Sequence, residues 1–224
     1  MKNIKISKRL LAAAELCRQG SFIADVGTDH AYLPIYLANE GKIRGGVVSD
    51  INKGPIERAT KNIGEWGLRN KLTPILCDGL TEIAEYDPED IFILGMGGEL
   101  IAEIIDKAEF VRKSGVRLIL QPMTHSEILR KYLLDNGFEI VDEKLVKEEK
   151  IYRIILAEYT GATLTYNQIE LLLGKKNIEK KEPLFYELLE HTERVLGARI
   201  EGKERSDADA AEEKYLLKEI GKLK

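Results

Sequence analysis

The chain has 224 residues and a mass of 25.3 kDa, with 44% hydrophobic and 32% charged residues, enough apolar material for a full globular core. A net charge of −4 and a pI near 5.6 exclude a surface that is a polyanion trap all over, although a local basic face stays open. No apolar run approaches the roughly 20 residues needed to cross a bilayer, which argues against a membrane protein. The basic start, MKNIKISKRL, is not followed by a long apolar segment, so no signal peptide is read. Cys17 and Cys77 are far apart, offering neither a disulfide framework nor a metal site, and a reducing cytoplasm is the expected setting.

In chain order, 8–19 has helical apolar spacing and stops at Gly20. Five short apolar segments follow, at 21–27, 45–50, 71–79, 90–98 and 116–122. Their uniform apolarity predicts parallel strands covered on both faces. Helical patterns between them, near 31–40, 53–66, 99–109 and 125–136, predict βαβ units and a doubly wound α/β sheet. Two further strand-like runs, 138–146 and 151–159, are joined by the charged turn KEEK and predict an antiparallel hairpin ending the sheet. Beyond Gly161 the pattern is helical, with an apolar stripe of Leu184, Leu188, Val195, Leu196 and Ile200. Helices are expected over 165–174, 181–204 and 206–220; the two long ones join near 202–206, the last opening on Ser206–Asp209, with too little core to stand alone. The domain boundary is placed at 161, giving a sheet domain over 1–161 and a helical domain over 162–224.

Ligands of open α/β sheets bind outside the carboxyl ends of the strands. The first strand ends Asp25-Val26-Gly27-Thr28-Asp29-His30. A dinucleotide site would want further glycines for the pyrophosphate, whereas Asp25 and Asp29 suit a cationic ligand without phosphate, S-adenosylmethionine. Asp29 as a helix cap is the competing expectation. Asp50, 23 residues beyond Gly27, is placed to accept the hydroxyls of an adenosine ribose. Asp78-Gly79-Leu80 offers a carboxylate and a backbone N–H to adenine, with Leu80 on the ring face. Gly95-Met96-Gly97-Gly98 leaves backbone groups and space beside the methyl acceptor. Asp25, Asp29 and His30 are expected nearest the reacting atoms.

In that order and spacing, IADVGTDHAYLP, VVSDIN, CDG and ILGMGG resemble the bacterial TrmK family, as do QPMTHSEILRKYLLDNGFEI and the tail segment PLFYELLE. The first loop reads Val26-Gly27-Thr28 where family members often carry Ile-Gly-Ser, a mild departure. The resemblance implies a class I Rossmann-like methyltransferase domain, a C-terminal helical coiled-coil domain used for tRNA, and methylation of N1 of adenine 22. Within the matching motifs it adds Leu33, Ile51 and Asn52 to the donor site. Expected RNA contacts are Lys2, Lys5, Lys8 and Arg9 at the N-terminus and Lys175, Lys176, Lys180 and Lys181 in the tail. Phe185 and Tyr186 are expected as stacking surface, and His125 as a further contact. His191 reads as a surface residue, no metal is called for, and a monomer is the default. The competing functions are a methyltransferase with another substrate, a silent S-adenosylmethionine-binding adaptor, and, third, a nicotinamide dehydrogenase.

Overall fold

The computed structural model describes residues 4–224. Helix α1 (Lys8–Glu15) opens on Ser7, whose hydroxyl accepts the Leu10 N–H at 3.4 Å. The chain then alternates through β1 (Ser21–Val26), α2 (Tyr32–Asn39), β2 (Ile43–Asp50), α3 (Lys53–Glu65), β3 (Leu72–Leu76), β4 (Asp90–Gly97), α4 (Gly98–Asp106), β5 (Arg117–Thr124) and α5 (Ser126–Asp135). The hairpin β6 (Phe138–Lys147) and β7 (Ile151–Tyr159) completes a seven-stranded sheet in the order β3-β2-β1-β4-β5-β7-β6. β1 to β5 are parallel, β7 enters antiparallel beside β5, and β6 forms the edge.

The uniform apolarity of the strands has its reason in this plan. Alternate residues face opposite layers: Ala24, Ile91, Ile93, Leu118 and Leu120 pack toward α4 and α5, whereas Ile23, Phe92 and Ile119 pack toward α1 and α2. Both faces are covered, so most positions are apolar; the buried polar side chains on these strands are Ser21, Asp25, Ser49, Asp90 and Gln121.

The tail differs from the expectation in detail. Helix α6 (Gln168–Leu173) falls within the expected 165–174, a short helix α7 (Lys175–Lys180) is additional, and α8 (Pro183–Arg205) and α9 (Ala211–Gly221) follow. α6 begins with a reciprocal cap between Asn167 and Glu170. The expected stripe holds in part: Leu188 and Leu196 are buried and Leu184 packs on the same core, but Val195 is exposed, and Phe185, Leu189 and Thr192 are buried beside them. The joint falls later than 202–206 because α8 continues to Arg205, and Asp209 accepts the Ala211 N–H at 2.9 Å ahead of α9. A coiled coil is not confirmed. α8 has 23 residues and α9 only 11, and their shared core also takes in Leu145 of β6.

A buried ion pair fixes this tail to the sheet. Arg130 of α5 and Glu143 of β6 are each about 1% exposed, with Nε donating to Oε1 at 2.7 Å. Arg130 also donates to the Leu171 carbonyl at 2.8 Å, Glu143 accepts the Lys176 N–H at 3.2 Å, and Lys180 reaches Asp142 at 2.5 Å. α6 and α7 are thus tied to α5 and β6.

Candidate functional site

The parallel strand ends converge on one rim. The Gly27 and Thr28 N–H groups both donate to the Ser49 carbonyl, at 2.8 and 2.9 Å, and the Cys77 N–H donates to the Asp50 carbonyl at 3.1 Å. The ends of β1, β2 and β3 are therefore stitched side by side, which brings Asp25, Asp50 and Asp78 to one edge. A cleft of about 300 Å³ opens at β1 and β4, lined by Asp25, Gly27 to Leu33, Leu94, Gly95 and Arg9.

Asp25 is only 7% exposed yet lines that cleft. Burial pushes its carboxyl pKa up to about 6, partly opposed by a hydrogen bond from the Thr28 hydroxyl. A carboxylate held in poor solvent is completed by an incoming cation. Gly27 has φ +74°, and a Cβ there would overlap the tip of Met96, so the first loop and the end of β4 touch through this position.

Asp29 does not cap α2, whose N-cap is Ala31. It lies at the cleft mouth, accepting from Arg58 Nε at 3.0 Å and facing His30 Nε2 at 3.1 Å. His30 stacks on Tyr32 with ring centroids 4.9 Å apart. Arg58 carried no signal in the sequence because α3 is far from β1 along the chain. Leu33 is buried on the cleft's inner wall.

Asp50 Oδ1 accepts both the backbone N–H and the side-chain amide of Asn52, at 2.7 and 3.2 Å, so Oδ2 is the oxygen left for a ligand. Ile51 beside it is 61% exposed, an apolar platform at the rim. The Asp78 carbonyl accepts from the Thr81 hydroxyl at 3.0 Å, and its side chain is exposed. Leu80 differs from the expectation: it is 3% exposed and belongs to the sheet core, leaving its backbone rather than its side chain on the loop.

Gly95, Met96 and Gly97 are not a loop. They are the end of β4, which slips register against β5 on both sides of Met96, and Gly95 takes φ +80° there. Such a bulge re-aims a strand end. Gly98 has a different task, since a Cβ on it would overlap the His125 carbonyl of the neighbouring strand end.

The basic residues separate into two groups. Arg9 is drawn into the donor cleft, donating to Gln121 Oε1 at 2.7 Å and lying 5.5 Å over the Tyr152 ring. Lys5, Lys8 and Lys175 are exposed. Lys176 pairs with Glu179 at 3.5 Å, Lys180 with Asp142, and Lys181 donates to the Leu223 carbonyl at 3.1 Å. Lys2 lies outside the described residues. Phe185 is fully buried in the tail core and offers no stacking face, whereas Tyr186 is 43% exposed. His125 and His191 both line a cleft between β5 and the tail. No group of three or more His, Cys, Asp or Glu among the described residues is arranged to hold a metal, and none of the described helices is long and apolar enough to cross a membrane.

The strand order and the acid-bearing rim define an α/β domain of the methyltransferase type, and residues 6–155 match the family model described as a methyltransferase domain. The chain is 32% identical to the tRNA (adenine(22)-N(1))-methyltransferase of Bacillus subtilis (strain 168), covering 98% of each. Among solved structures, B. subtilis TrmK superposes with a TM-score of 0.84 at 30% identity, covering 98% of this chain and 96% of that one. The M. capricolum TrmK complex with S-adenosyl-homocysteine gives 0.79 at 26% identity, covering 97% and 96%. A Streptococcus pneumoniae protein in complex with S-adenosyl-L-methionine gives 0.86 at 33%, covering 96% and 99%. The chain belongs to the TrmK family of tRNA (adenine-22 N1) methyltransferases.

Proposed function

We propose that the protein transfers a methyl group from S-adenosylmethionine to N1 of adenine 22 in tRNA, in the cytoplasm where that substrate is found. The observation that carries this reading is the end-to-end match to the B. subtilis enzyme, tail included. The rim fits the donor: it supplies a buried carboxylate for a cation, a free Asp50 oxygen for ribose hydroxyls, the exposed Ile51 for the adenine face, and no glycine-rich turn for a pyrophosphate.

The donor would supply an electrophilic methyl on a sulfonium: as the bond from N1 to the methyl carbon forms, the C–S bond opposite it breaks and the neutral thioether leaves with that electron pair. Adenine N1 carries a lone pair and no proton, so no general base is required. What the chain must do is orient the two partners and hold the reacting atoms about 3–3.5 Å apart. Asp25 stabilises positive charge at the cleft floor, Asp29 and His30 stand at its mouth, and the Gly95–Gly97 bulge leaves room for the acceptor ring. The product ring is cationic, so acids on the approach favour the transition state. Exposing a stacked base costs a few kcal/mol, recovered through contacts elsewhere on the tRNA. In this reading residues 1–161 hold the donor and 162–224 serve the tRNA, with Lys5, Lys8 and Lys175 available to its backbone.

The test is incubation with unmodified tRNA and labelled donor, followed by mapping of the modified base. 1-Methyladenosine at position 22 is expected. Methyl on another base, or donor binding without turnover on any tRNA, overturns the proposal in favour of another substrate or a silent adaptor.

A further inference from the structure

The carboxyl end of β5 faces the tail across a cleft of about 480 Å³, adjoined by a second of about 460 Å³. Arg153 of β7 and His191 of α8 line both, while Arg199 enters the first and Arg194 the second. The acids in these walls have partners within the fold, although Glu213 Oε2 is buried without one. Glu213 pairs with Lys203 at 2.6 Å, Glu212 accepts from Gln168 at 3.0 Å, and Glu127 faces His125 at 3.5 Å. Glu187 is held by Lys147 and Glu149 by Tyr152.

The arginines are different. Among the described residues Arg153 and Arg199 make no hydrogen bond or ion pair, and Arg194 reaches only the Glu190 carbonyl at 3.4 Å. Arg153 Nε is buried without a partner. Burial, with repulsion from Arg130, lowers the Arg153 pKa to about 10, only partly opposed by Glu127 and Glu143, neither of which it hydrogen-bonds. A half-buried guanidinium with no hydrogen-bonded counter-ion is costly, and an anion entering the cleft relieves that cost. The planar fork of arginine matches phosphate oxygens in geometry as well as charge.

The cleft is also adjacent to the chemistry, since the His125 carbonyl at its edge is the group packed against Gly98 at the end of β4. We infer that this cleft seats a phosphodiester of the tRNA backbone on Arg153 and Arg199, so that sheet and tail together clamp the strand beside the acceptor base. The inference rests on the assignment to tRNA. Such a contact positions the RNA without reading its sequence.

The test uses the full chain with Arg153→Gln, Arg199→Gln and Arg153→Lys. Arg199 is exposed on α8, so its variant keeps the fold even if Arg153→Gln does not. Each Gln variant should lower tRNA affinity roughly tenfold and reduce the slope of log affinity against log salt by about one, with donor affinity by calorimetry unchanged. Arg153→Lys should recover part of the affinity. Wild-type affinity and slope in Arg199→Gln overturn the inference. So does stabilisation by inorganic phosphate that Arg153→Gln abolishes while tRNA binding stays intact, which would make this a free-anion site. If the wild-type chain methylates adenine 22 while these variants bind normally, only this inference fails. If the wild-type chain methylates no tRNA, the functional reading itself fails.

Discussion

Asp25 makes donor binding depend on pH in a definite direction. Its carboxyl titrates near 6 in the folded chain against 3.8 ordinarily, because burial disfavours the anion. The folded state therefore binds the proton more tightly, and stability falls as pH rises from about 4 to 6, then levels off. Asp25→Asn removes that penalty and should stabilise the ligand-free protein by up to about 3 kcal/mol at pH 7, measured by denaturant unfolding. On the proposed role of Asp25 the donor binds its anion, so wild-type donor affinity should weaken as pH is lowered through 6, whereas the Asn variant binds weakly at every pH. A pH profile left unchanged by Asp25→Asn would remove Asp25 as its source. Asp50→Ala should cost donor affinity at least tenfold by calorimetry with the melting temperature little changed, since its Oδ2 is the oxygen facing the rim. Gly98→Ala acts otherwise: the overlap is with stiff backbone of the β5 end, so it should destabilise by about 1–3 kcal/mol in unfolding measurements. At this scale the acids were legible because Asp and Gly mark strand ends in the chain itself. Arg9, Arg58 and the packing task of Gly98 were not, since each depends on contacts between segments far apart in sequence.

At the scale of elements, the doubly covered strands were readable because two covered faces leave few polar positions, and the hairpin because no helix separates its strands. The tail's stripe was read in part. Leu188 and Leu196 are buried and Leu184 packs on their core as expected, but Phe185 and Leu189 join them and Val195 does not, because the same core takes in Leu145 of β6. The Arg130–Glu143 pair gave no local signal either, since Arg130 occupies an otherwise amphipathic helix and Glu143 an edge strand. Glu143→Gln leaves a buried guanidinium without its charge partner and should cost about 3–5 kcal/mol by chemical denaturation, with faster proteolysis of α6 and α7. Arg130→Met with Glu143→Leu removes both charges and should lose markedly less. A double variant as unstable as the single one would mean that the pair's hydrogen bonds to the Leu171 carbonyl and the Lys176 N–H, rather than charge balance, hold the joint.

For the whole molecule, net charge was a poor guide to the proposed polyanion-binding face. Several tail lysines are spent within the fold, on Asp142, Glu179 and the Leu223 carbonyl, while Arg153 of β7 and Arg194 and Arg199 of α8 come together only in three dimensions. Removal of everything after residue 161 should abolish tRNA methylation while donor affinity stays within a fewfold of wild type. It should also lower the melting temperature, because Leu145 and the buried ion pair lose their cover. A shortened chain methylating at the full rate would make the tail dispensable. β6 carries the deeper lesson. Phe138 and Ile140 near its start pack into the sheet's interior, and Leu145 near its end packs into the tail's. One strand serving two interiors leaves no fault line between them, so heat should melt the chain in a single cooperative step. A tail borrowed from a distant relative would then have to bring its own β6.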